Sequence, residues 1–196
     1  MKNFARISLF PVLVCLLLSN CASRVAPPLL YDFGPLHPSS AAVAVPPVSV
    51  ADINAPAWLD GSLMFYRLAY ANELQPRPYA GSRWTMTPSQ LIYQRLKTRI
   101  AQSGGTVLSA TDGAANLPLL RIEVDDFSQN FDSPAQSTGQ VSLRASLFQG
   151  RSLVAQRTFT QQLPAPSADA AGGARALATA SDAAITDIIA WLAQKK

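Results

Sequence analysis

The chain has 196 residues, of which 48% are hydrophobic, 14% charged and 8% aromatic, with a formal net charge of +4. That much apolar material excludes a disordered chain, and 15 Pro and 10 Gly without a three-residue period exclude collagen. The charge is too weak and scattered to argue for nucleic acid, and one His with two Cys leaves too little material for Cys/His metal sites.

Lys2 and Arg6 open the chain without an acidic residue, and Ile7–Leu18 is apolar apart from Ser8. A basic start followed by a short apolar run is a secretory signal, too short for a spanning helix of about 20 residues. Residues 1–20 are therefore read as a signal peptide. Its end, Leu18-Ser19-Asn20-Cys21-Ala22, resembles the bacterial lipobox, in which the Cys becomes the lipidated first residue; Asn20 departs from the usual Gly, Ala or Ser. Cys15 leaves with the signal, so Cys21 is the one remaining thiol, a liability in an oxidising compartment unless it is capped. Lipid such as palmitate caps it, and several acyl chains give stable anchoring where one is marginal. The bland alternative is an ordinary signal with an incidental Cys. Ala22, where an Asp would hold a lipoprotein at the inner membrane, favours the periplasmic face of the outer membrane.

Residues 21–42, with Pro27, Pro28, Pro35 and Pro38, read as a semi-rigid tether holding a short strand at Leu29–Phe33. His37 lies here without ligand partners. A single domain over residues 43–196 follows. Val43–Val50 alternates, and Pro46 and Pro47 mark it as an edge strand. Ser62–Tyr70 reads as a strand apolar on both faces, with Glu73–Arg77 returning as a short partner. Thr87-Pro88 opens a helix, cap then first position, and Ile92, Leu96 and Ile100 form its stripe until Gly104-Gly105 stops it near Gln102. Thr106–Ala110 is a short strand. Leu120, Ile122 and Val124 alternate with Arg121, Glu123 and Asp125, and Val141, Leu143, Ala145 and Leu147 do the same further on. Phe131–Thr138 reads as the loop between these two strands. Gly150-Arg151 turns the second into Leu153–Gln162, and Pro164–Gly173 is another loop. Leu177, Ser181, Ala184, Ile185, Ile188 and Leu192 then share one face of a final helix. The order β-β-β-α-β-β-β-β-α predicts an α+β domain, two helices on one face of a mainly antiparallel sheet.

Catalytic equipment is scarce. G-x-S-x-G, Walker A, G-x-G-x-x-G and H-E-x-x-H are absent from the sequence, and without a His in the domain a Ser-His-Asp triad cannot be built. No catalytic residue, metal site or cofactor is therefore expected. Glu123, Asp125 and Asp126 are the densest acidic group; their alternation with apolar residues fits a solvated strand face better than a catalytic pair. Arg95, Lys97 and Arg99 suit either a solvated helix face or contact with anionic lipid heads or an acidic partner. Trp191 fits the core side of the last helix. Trp58 and Trp84 lie in loops, as packing plugs or as interface anchors.

The stretches Pro46-Pro47-Val48-Ser49-Val50, Ala57-Trp58-Leu59-Asp60, Leu63-Met64-Phe65-Tyr66-Arg67, Arg83-Trp84 and Leu91-Ile92-Tyr93-Gln94-Arg95-Leu96 together resemble the ABC-type transport auxiliary lipoprotein family of the paraquat-inducible PqiC type. The resemblance runs from about Tyr31 to the C-terminus and includes the lipobox. It departs after Arg83-Trp84, where Thr85-Met86-Thr87-Pro88 replaces a segment that often carries an acidic residue. What it implies is an outer-membrane lipoprotein that is not itself an enzyme. Such a protein would dock a periplasmic mammalian-cell-entry (MCE) protein and, through it, an inner-membrane permease in lipid transport. It would assemble as a homo-oligomeric ring and use a surface around Trp58, Leu59, Arg83 and Trp84. A membrane-anchored periplasmic lipid carrier is the alternative; an enclosed apolar cavity would distinguish it.

Overall fold

A computed structural model of the chain describes residues 26–36, 45–113 and 116–195. The signal segment, Cys21 and His37 lie outside the described residues. The elements run β1 (Leu29–Tyr31), β2 (Val48–Val50), β3 (Leu63–Leu68), β4 (Asn72–Trp84), α1 (Pro88–Gln102), β5 (Val107–Ser109), β6 (Leu119–Ser133), β7 (Gln136–Gln149), β8 (Ser152–Pro164) and α2 (Ala170–Ala193).

One mixed sheet of eight strands is organised around β6. Along one edge β6 pairs antiparallel with β7, which pairs antiparallel with β8. Its other edge takes two strands in tandem, both parallel: β2 near its start (Val50 opposite Leu120) and β3 near its end (Leu68 opposite Phe131). β5 lies parallel outside β2, β4 antiparallel outside β3, and β1 parallel outside β4. The long pairings are thus antiparallel, as the alternating sequences require, and the short ones are mostly parallel. Among the described residues the fold is α+β with two α-helices.

Four expectations need correction. Val48–Val50 is not at an edge: it lies buried between β5 and β6. Pro46 and Pro47 end just before the ladder begins, so they remove no bond from it. Phe131–Thr138 is not a loop, because β6 and β7 extend almost to meet and leave a turn at Pro134-Ala135. Gln136–Gln140 is polar or small, so it carries no apolar period to reveal a strand. The partner of β3 is not short; β4 is 13 residues long. The last helix begins at Ala170, inside the stretch read as a loop, with Asp169 accepting the Gly172 N–H at 2.7 Å as its cap.

Leu29–Tyr31 pairs with Ser82–Trp84, and Phe33 is buried in the core, so the folded body takes in part of the stretch read as tether. The helix opened by Thr87 forms with a reciprocal cap: Gln90 N–H donates to the Thr87 hydroxyl, and the Gln90 side chain accepts from Thr87 N–H. Its stripe, Ile92, Leu96 and Ile100, meets Leu120, Ile122, Leu143 and Ala145 from the sheet and Ala184, Ile185 and Ile188 from α2 in one core. Trp191 joins it edge-on to Phe159 at 5.8 Å between ring centroids.

Candidate functional site

The four residues singled out from sequence separate into two pairs. Leu59 and Trp84 are core. Trp84 is 2% exposed and meets Phe33 and Phe127 edge-on, with centroids 6.1 and 5.4 Å away. It reads as a loop Trp because it ends β4, yet it fills the space that β1 and the segment after it close over. Neither residue presents a free face to a partner. Trp58 and Arg83 are half-buried and do reach the surface.

Arg83 has a specific structural task. Between Leu63 and Phe65 the ladder advances two residues on β3 but five on β4, from Arg83 to Pro78. The surplus β4 residues bow out, and their carbonyls lose strand partners. The Arg83 guanidinium donates to the carbonyls of Tyr79 (2.5 Å), Ser82 (2.7 Å) and Ala80 (3.3 Å), all in that bow. A second bow lies between Arg77 and Asn72, again five residues against two. There Arg67 donates to the Glu73 carbonyl at 3.0 Å. The same Arg67 lies over the Trp58 ring, 5.5 Å from its centroid, and Trp58 stands edge-on to Phe65 at 5.3 Å. Trp58, Phe65 and Arg67 therefore form a half-open aromatic and cationic corner, built on a 3-10 turn at Ala57–Leu59 pinned from below by buried Leu59.

The basic residues of the first helix do not form a solvated face. Arg95 is 6% exposed, and its guanidinium donates to the carbonyls of Phe33 and Gly34 and pairs with Asp182 on α2 at 3.5 Å. Arg99 meets the same Asp182 at 3.3 Å. Lys97 donates to the Ser109 hydroxyl at 2.7 Å and lies over the Tyr93 ring. These cations tie elements together and are largely withdrawn from any lipid headgroup.

The acidic residues take up partners on the sheet. Glu123 and Asp125 both point at Arg144 on β7, at 2.9 and 3.1 Å, on the exposed side of the sheet. Asp126, beyond an irregularity in the strand, accepts from Ser128 Oγ and Gln140 Nε2, and burial pushes its carboxyl above the ordinary value. A further polar cluster, unforeseen from sequence, joins four elements. The Tyr79 hydroxyl donates to Gln129 Oε1, and Gln129 Nε2 donates to the Ser137 hydroxyl and the Asp169 carbonyl. Burial pushes the Tyr79 phenol up, so it stays protonated and able to donate. Gln129 shares a strand face with Phe127 and Phe131, and that spacing is the signal that could have marked it as buried. Among the described residues no three His, Cys, Asp or Glu gather as metal ligands would.

The clefts are open and shallow. One, about 330 Å³, is lined by Asp52, Asp60, Thr87, Ser89, Gln90 and Tyr93. An apolar one between Pro46, Pro47, Pro118, Leu147 and Leu192 holds only about 30 Å³, and another, open at the surface between Leu30, Tyr31, Phe33, Ala171, Ala174 and Ala178, about 270 Å³. A site for a small apolar ligand needs several hundred Å³, roughly 300–1,000.

The family model for the ABC-type transport auxiliary lipoprotein component matches residues 30–189. The chain belongs to this family. That makes it an auxiliary lipoprotein of ABC-type transport, with the membrane-anchored, envelope location the family carries. The match begins at Leu30, within β1, in agreement with the docking of that strand on the body. A crystal structure from Xanthomonas campestris, assigned to the family model DUF330, superposes on this auxiliary lipoprotein with a TM-score of 0.67. It is 22% identical, over 85% of this chain and 92% of that one. A second, of an uncharacterised protein, gives a TM-score of 0.64 at 15% identity, over 85% of this chain and 99% of that one. At those identities the likeness establishes the fold. No similar sequence was found among curated proteins.

Proposed function

We propose that this auxiliary lipoprotein is a non-enzymatic adaptor, held at the periplasmic face of the outer membrane by lipid on Cys21. There it docks the periplasmic MCE assembly of an intermembrane lipid transport system and, through it, an inner-membrane permease. The observation that supports this most is the filled core. The space between sheet and helices is occupied by side chains such as Trp84, Phe127, Leu96, Ile122 and Ile185, each almost fully buried. A carrier needs room inside for its cargo, and an adaptor needs only a surface. The half-open corner of Trp58, Phe65 and Arg67 supplies aromatic area and a cation of the kind that anchors interfaces. A ring of copies would give a symmetric receiver for a symmetric partner.

The test is mild crosslinking of the tagged protein in its native envelope, extraction, and mass spectrometry of what accompanies it. An MCE-domain protein recovered with the native chain, and lost with Trp58→Ala while the variant stays folded, supports the adaptor. Recovery of lipid without any protein partner would sink it.

A further inference from the structure

Among the described residues six large hydrophobic side chains stand well out in solvent: Leu29, Leu30, Tyr70, Leu74, Leu153 and Val154. Leu29 and Leu30 lie on the outer strand β1, and the other four gather at the two ends of the sheet. Leu153 and Val154 follow the β7–β8 turn, at the end where β6 begins. Tyr70 stands in the turn of the β3–β4 hairpin and Leu74 just inside β4, at the opposite end, where β6 finishes beside Leu68. Leu74 is 84% exposed, the most of the six, and Tyr70 is 49% exposed. Between Leu68 and Pro76 the only charged residue is Glu73, and Arg67 and Arg77 stand behind it on the two strands. An apolar tip with a Tyr and with arginines set back from it suits the boundary between lipid headgroups and acyl chains.

The direction of the chain says which membrane. β1 runs parallel to β4, with Leu29 opposite Ser82. β4 runs away from the hairpin turn, so the chain upstream of Leu29 leaves toward that turn. Arg83 faces Leu63, and the turn lies beyond Leu68, five residues up β3. At about 3.3 Å per residue the tip stands roughly 17 Å beyond the start of β1. Cys21 precedes Leu29 by eight residues, which reach at most about 28 Å when fully extended. The chain entering β1 therefore comes from the side on which the tip lies, and the tip is within reach of the chain between Leu29 and Cys21.

We infer that the β3–β4 hairpin tip, through Tyr70 and Leu74, rests in the interface of the phospholipid bilayer that holds the Cys21 lipid. The inference rests on the reading of Cys21 as lipidated. Its consequence is orientation: a single flexible anchor leaves a body free to tumble, whereas a second contact about 17 Å from the start of the fold stands the sheet up on the membrane. The β7–β8 turn then faces away from the bilayer.

The experiment uses the full lipidated chain in vesicles of phosphatidylethanolamine and phosphatidylglycerol. Nitroxide labels are placed on Leu74→Cys or, at the other end, Leu153→Cys, and oxygen against water-soluble nickel collisions report depth. The Leu74 label should be immersed and the Leu153 label in water. In addition, Tyr70→Ser with Leu74→Ser should speed transfer of the lipidated protein between vesicles about tenfold. Both labels in water on vesicle-bound, lipidated protein overturns the tip contact and leaves the anchor standing. A Leu74 label shielded only after a protein partner is added overturns it too. Intact mass without lipid on Cys21 overturns the anchor reading, and the tip contact with it.

Discussion

Arg95 and Asp182 meet across the two helices, with Arg95 Nε 3.5 Å from Asp182 Oδ1, and the same guanidinium donates to the carbonyls of Phe33 and Gly34. One buried cation thereby joins the start of the fold, its middle and its end. Its burial is tolerable because both kinds of partner, carboxylate and carbonyl, surround it, and the Phe33 ring lies beneath it at 5.6 Å. Arg95→Met keeps the apolar stem and removes the donors. It should cost about 2–4 kcal/mol in urea unfolding, and hydrogen exchange at Leu29–Phe33 should speed up more than exchange in β6 or β7. Uniform acceleration would mean that Arg95 does not hold the N-terminal segment.

The two loop tryptophans should separate by assay. Trp84→Ala opens a cavity among Phe33, Phe127 and β4 and should cost about 3–5 kcal/mol. Trp58→Ala removes a half-buried ring resting on Phe65 and under Arg67, and should cost less than about 2 kcal/mol. Partner capture should nonetheless be lost with Trp58→Ala. Equal losses of stability from the two variants would contradict the packing described.

Much of this architecture is legible in the sequence wherever one face is buried along a whole element. The stripe Ile92, Leu96 and Ile100, the alternation from Leu120 to Val124 and from Val141 to Leu147, and the face from Leu177 to Leu192 are all buried as their spacing requires. Three-residue strands are different. Val48–Val50 closes an alternating stretch whose prolines point to an edge, and parallel pairing leaves no turn residue beside it to mark its partners. Arg95 is invisible for another reason: an arginine in a helix looks the same in sequence whether it meets water or an aspartate near the other end of the chain. Of the four residues expected to form a docking surface, Trp58 and Arg83 reach the surface, and Leu59 and Trp84 do not. Arg83 and Trp84 stand together in a second motif, but one braces a strand that bows and the other fills the core.

Gly173 is held to its identity by Gln129. A Cβ there would stand 1.9 Å from Gln129 Oε1, which is itself held by Tyr79, with Nε2 bound to Ser137 and Asp169. Gly173→Ala must therefore displace a buried amide with its hydrogen bonds, at about 1–3 kcal/mol. Gln129→Ala alone should also destabilise, by leaving the Tyr79 hydroxyl without its acceptor. The double variant should cost clearly less than the two single ones added, because the collision is gone once the amide is gone. Strict additivity in thermal or urea melts would refute the contact.

Two carboxylates should give the stability opposite dependences on pH. Asp169 accepts from Gly172 N–H and Ser167 Oγ, which holds it below the ordinary carboxylate value. Its folded pKa is depressed, so its contribution is present above the unfolded value, about 3.9, and is lost as pH falls through the folded one. Asp126 is raised by burial, more than its bonds from Ser128 and Gln140 offset. The folded state then binds its proton more tightly than the unfolded chain does. Stability from this group is present below the unfolded value and is lost as pH rises through the folded one. Urea midpoints of the native chain should therefore gain on those of Asp126→Asn as the solution is acidified toward about pH 4. The margin over Asp169→Asn should shrink on further acidification. Parallel curves for all three proteins would show that neither carboxylate is shifted by its surroundings.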